Sequence, residues 1–137
     1  MKFFVKWFLR LMPFAYMILI WTLSSMPDNA VVELPDSTVD SFVKESLHLV
    51  EFAILYLLLV GALLTTGKFS FRASLICGLI ACGYGLLDEI HQSFVPARSA
   101  TIIDFVKDVT GVLVASYFVM RAYRKHGFER IMGYFRG

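Results

Sequence analysis

The chain has 137 residues, of which 58% are hydrophobic, 15% aromatic and only 18% charged. A soluble domain of this size keeps about a third of its unfolded surface in water and needs polar residues to cover it, so the composition argues against a small soluble globule; it argues equally against intrinsic disorder. A formal net charge of +2, with no long basic block, offers no footprint for nucleic acid.

Four apolar stretches of near-spanning length, at about 11–26, 47–66, 73–92 and 102–120, predict an all-α membrane protein: one domain over residues 1–137, built as a four-helix transmembrane bundle. Lys2, Lys6 and Arg10 before the first stretch also resemble a secretory leader. No convincing small-x-small cleavage site follows, and Pro13 and Trp21 suit a retained helix. A polar loop rich in Asp and Pro, from Pro27 to about Glu45, leads to the second stretch. A short turn from Gly67 to Arg72 precedes the third, and a loop from Ser93 to Thr101, carrying Pro96, precedes the fourth. Cys77 and Cys82, five positions apart, leave one helix on different sides and cannot be bridged; they read as small apolar fillers. The tail carries Arg124, Lys125, His126, Arg130 and Arg136 with Tyr134 and Phe135, the pattern of an interfacial helix lying on anionic lipid.

Charge placement predicts orientation. Ten of the thirteen Lys and Arg residues fall at one end of the bundle, leaving Lys44, Arg98 and Lys107 at the other, so both termini are expected to be cytoplasmic. Ten of the eleven acids fall at the opposite, outer end, Glu129 being the exception. Acidic residues contribute little to topology, so their concentration there points to function at the outer face.

The uninterrupted apolar parts of the second, third and fourth stretches, 52–66, 73–87 and 109–120, reach only about 18 to 23 Å across a hydrocarbon core about 30 Å thick. Their outer turns are therefore expected at membrane depth. At 100° per residue Lys44, His48 and Glu51 share one helix face, Gly85, Asp88 and Gln92 a second, and Asp104, Asp108 and Gly111 a third. Charges facing lipid cost several kcal/mol, so these stripes should turn toward one another and line a polar cavity open to the outside. The long stems of Lys44 and Lys107 also allow snorkelling to the headgroups. Gly78, Cys82, Gly85, Gly111 and Ala115 would let the third and fourth helices approach closely.

Ser24-Ser25-Met26-Pro27, then Lys44 and His48 leading to Glu51, the run Asp88-Glu89-Ile90-His91-Gln92-Ser93-Phe94-Val95-Pro96 with Arg98 after it, and finally Asp104, Asp108 and Gly111 resemble the VanZ-like family of bacterial membrane proteins. Ala97 stands where glycine is expected before the arginine, and Asp108 where asparagine is also common. The resemblance implies a multi-helix protein of the bacterial cytoplasmic membrane, in a family named for a member associated with low-level teicoplanin resistance, with no established reaction.

Glu51, Asp88, Glu89, Asp104 and Asp108 against Lys44, Arg98 and Lys107 leave an excess of two negative charges if all are ionised, which burial makes expensive. A divalent cation, protonated carboxyls or exposure to bulk water would each relieve it. A metal would draw on Glu51, Asp88 and Asp104 with His48 or His91, although no HExxH spacing exists. In an acid/base site Glu89 or Glu51 would donate a proton, His48 or His91 would act as base, Asp88 would be a further catalytic carboxylate, and Arg98 would fix an anionic oxygen, with Lys44, Gln92, Asp104 and Asp108 contributing to binding. In a purely structural network Arg98 folds back onto Asp88 or Asp104 while Gln92 bridges helices. The functions in competition are an outer-face enzyme acting on a lipid-linked or envelope-associated anionic substrate and a non-catalytic binder of an amphiphile such as a lipoglycopeptide. A proton-coupled transporter is weaker, since no charge is expected near the midplane.

Overall fold

The computed structural model describes residues 1–26, 34–96, 101–125 and 127–136. These residues are all-helical, with α1 Lys2–Ser24, α2 Ser37–Leu64, α3 Phe71–Gln92, α4 Ile102–Arg124 and a short α5 Glu129–Arg136. Three of them, α1, α2 and α3, are long and apolar enough to cross a membrane. At 23 residues α4 has spanning length, about 35 Å, but Asp104, Lys107 and Asp108 at one end and Arg121 and Arg124 at the other leave no comparably apolar stretch.

The starts of α2, α3 and α4 follow side-chain caps. The Asp36 carboxylate accepts from the Thr38 and Val39 amides at 2.8 and 3.2 Å, so α2 begins ten residues before the apolar run and absorbs the end of the expected polar loop. An Asp40–Lys44 pair at 2.9 Å spans this added stretch one turn apart. Ser70 caps α3 through the Ala73 amide, and Thr101 caps α4 through the Asp104 amide. Asp104 thereby sits in the first turn of α4, where the helix dipole favours an anion.

α2 is the central helix. Its Phe52, Leu55 and Tyr56 are fully buried against Ile20 of α1, Cys77 and Ala81 of α3, and Val112 of α4. The α2–α4 packing is the most extensive in the bundle. Its closest point is Gly111, where a Cβ would overlap the Leu49 carbonyl. Gly111 therefore serves the approach of α4 to α2, whereas the sequence pattern had suggested α3. Gly78 and Gly85 do serve the α3–α4 contact, facing Val112 and Asp108.

Hydrogen bonds also cross between helices within the apolar layer: Tyr16 Oη donates to the Glu51 carbonyl, Tyr84 Oη to the Met17 carbonyl, and Tyr56 meets Ser74 at 2.6 Å. Leu75, Ile76, Leu79, Ile80, Leu86 and Leu87 of α3 point outward, while Asp88, Gln92, Asp108, Ser24 and Ser74 are buried. Apolar outside and polar within is the arrangement lipid favours and water does not.

At the basic end Arg10 Nε donates to Thr65, and Arg136 donates twice to the carbonyl of Gly67, the turn residue with φ +70°. Met132 and Phe135 of α5 are buried against the bundle. The tail helix thus seats half of its apolar face on protein, leaving Ile131 and Tyr134 outward.

Candidate functional site

The polar stripes of α2, α3 and α4 meet at the acidic end of the bundle and form two adjoining clusters. In the first, between α1 and α3, Asp88 is fully buried. Ser24 Oγ donates to its Oδ1, and Gln92 Nε2 donates to its Oδ2 at 2.9 Å and reaches Ser24 Oγ at 3.2 Å. Asp88 and Gln92 lie one helical turn apart, so they stack on one face. Ser24, the last residue of α1, is delivered to them by the packing of α1 on α3.

The second cluster lies between α2, α3 and α4. His48 Nδ1 is 3.3 Å from Asp108 Oδ1 and 4.0 Å from Glu89 Oε1. Asp108 is 0% exposed and Glu89 6%. Ligand atoms of His48, Glu89 and Asp104 all lie within 4.8 Å of one another, and a divalent ion fits this donor set. Among the described residues neither oxygen of Glu89 has a hydrogen-bond partner, nor has Asp108 Oδ2.

The glycines account for this geometry. Gly111 lets α4 press against the α2 backbone at Leu49, next to His48, and Asp108 lies one turn from Gly111 on the same face. Gly85 leaves room on α3 for Asp108, whose Cβ and Oδ2 would each be 3.4 Å from a Cβ placed there. Two ionised carboxylates 4.8 Å apart repel by about 3 kcal/mol at an effective dielectric near 20. His48 can offset at most one of the three carboxylates around it.

The other residues expected at the site fall around these clusters. Glu51 is half-buried and within electrostatic range of His48, and its backbone carbonyl receives the Tyr16 bond. Lys44 pairs with Asp40 on its own helix, and Lys107 reaches across to Glu45 at 3.3 Å. His91 leaves α3 on the side away from Glu89: its ring stacks on Trp21, centroids 3.9 Å apart, and its Nε2 meets Ser25 Oγ at 2.9 Å. His48 and His91 therefore belong to separate environments. Arg98, the expected anion clamp, lies outside the described residues, as do Pro27 and Ala97.

Ser24, Ser25 and Trp21 are site components that residue chemistry alone did not single out. The signal for the two serines was present in the Ser-Ser-x-Pro motif. Their partners, 64 and 66 positions away, become evident only when α1 lies against α3.

The family profile described as VanZ/LLP1 matches residues 1–123, taking in α1 to α3, both clusters and nearly all of α4. Neither the comparison with curated proteins nor that with solved structures gives a match.

Proposed function

Because the chain belongs to the VanZ/LLP1 family, we propose that it is a four-span protein of the bacterial cytoplasmic membrane, with both termini cytoplasmic, whose acidic end acts on a lipid-linked or envelope-associated substrate bearing an anionic group. The observation that carries this reading is the convergence of His48, Glu89, Asp104 and Asp108 from three helices into one largely buried cluster. In this reading Glu89 exchanges the proton, His48 is its basic partner, and Arg98 holds the anionic oxygen of the substrate. Four spans are supported by the central packing of α4 on α2, and orientation by the basic residues gathered at the end opposite the clusters.

A second reading, binding without catalysis, draws on the apolar rim at the same end. Phe94, Ile102 and Ile103 are strongly exposed there and offer a surface for the acyl chain of an amphiphile such as a lipoglycopeptide. Survival of a susceptible bacterial host in teicoplanin, at matched protein level, tests and separates the two. Catalysis predicts loss of protection in Glu89→Gln with Phe94→Ala tolerated, and sequestration the reverse. Full protection by Glu89→Gln and Asp104→Asn would refute the catalytic reading.

A further inference from the structure

We propose that His48, Glu89 and Asp104 bind one divalent cation of the Mn2+ or Zn2+ type. The donors come from three different helices and are one nitrogen and two carboxylates, a mixed set that suits borderline ions better than Mg2+ or Ca2+. An ion with ligand bonds of about 2.0 to 2.2 Å needs donors roughly 3.0 to 3.6 Å apart, so the present limit of 4.8 Å closes by about 1.2 to 1.8 Å through side-chain rotation.

An independent observation points to a ligand here. Glu89 is more than nine-tenths buried, yet neither of its oxygens accepts a hydrogen bond among the described residues. Its contact with His48 Nδ1, at 4.0 Å, exceeds hydrogen-bond range. Buried carboxylate oxygens are normally satisfied, and a cation shared with His48 and Asp104 satisfies these. The two nearby lysines are engaged with Asp40 and Glu45.

A bound ion takes Glu89 and His48 as deprotonated ligands and so replaces the proton exchange assigned to them above, while leaving the site itself at the acidic end; ion binding is measured without substrate and is therefore tested separately. The full chain, purified in detergent and stripped with EDTA, is titrated with Mn2+ while the electron paramagnetic resonance signal of the free ion is followed. Zn2+ then serves as competitor. One ion per chain is expected. Glu89→Gln and the less buried Asp104→Asn should each weaken binding at least about tenfold, and Asp36→Asn, an exposed acid at the same end, should leave it unchanged. Added Mn2+ should also raise the unfolding midpoint of the unaltered chain, reversibly with EDTA, a readout that needs no variant. Absence of stoichiometric binding, or equal weakening by Asp36→Asn, overturns the proposal.

Discussion

Replacing Gly111 by alanine tests the contact on which the second cluster depends. A Cβ at this position would overlap the Leu49 carbonyl oxygen and lie 2.9 Å from the carbonyl carbon and 3.4 Å from Cα. Carbon atoms pack at about 3.5 to 4.0 Å, so relieving the carbonyl-carbon contact alone needs about 0.6 to 1.1 Å, and the nearer carbonyl oxygen requires α2 and α4 to separate by more than that. Both sides of the clash are backbone, and no rotamer change can relieve it. Overpacking of this kind costs about 1 to 3 kcal/mol, with the upper part of that range expected at such a site, less about 0.5 to 1 kcal/mol that alanine returns over glycine within a helix. A net loss of about 2 kcal/mol follows. Gly61→Ala is the internal comparison, since a Cβ there meets nothing within 4 Å and the change should be neutral or slightly stabilising. Circular dichroism of the full chain in mixed micelles, with increasing dodecyl sulfate, measures both. The same separation carries His48 away from Asp108 and should weaken any ion held at the cluster. Equal stability of the two alanine variants would refute the close-approach reasoning.

Three further outcomes are expected. Ser24→Ala and Asp88→Ala remove opposite halves of one buried hydrogen bond, so a double-mutant cycle in the same unfolding assay should give a coupling of about 1 to 2 kcal/mol, while additive losses would mean that the two groups act independently. His91→Ala breaks a stack on Trp21 at the rim and should shift tryptophan fluorescence while leaving protection in cells intact; His48→Ala should abolish protection, and equal loss from both would join the two histidines in one function. Arg136→Ala removes the bonds that tie α5 to Gly67 and should speed hydrogen exchange across 129–136 with little change in α2, whereas unchanged exchange would show that Met132 and Phe135 suffice to hold the helix.

Composition and periodicity determined the helical class, the approximate extent of α3 and the segregation of acids from bases, because each depends on residue type and spacing along a single helix. The start of α2 was less legible: Asp36 extends it well into a stretch that reads as loop, since a cap acts on backbone amides and the Asp40–Lys44 pair on charged side chains, and neither leaves an apolar signature. The single polar crevice expected from the stripes is resolved into two adjoining clusters only by tertiary packing. Gly111 turned out to face α2, which drew His48 to Asp108; α1 closed over Asp88 with Ser24; and His91, one of two histidines equivalent by sequence, was directed to Trp21. Spacing fixes the direction in which a side chain leaves its own helix. The helix it meets there depends on which backbones can come close enough, and that is a property of the assembled bundle.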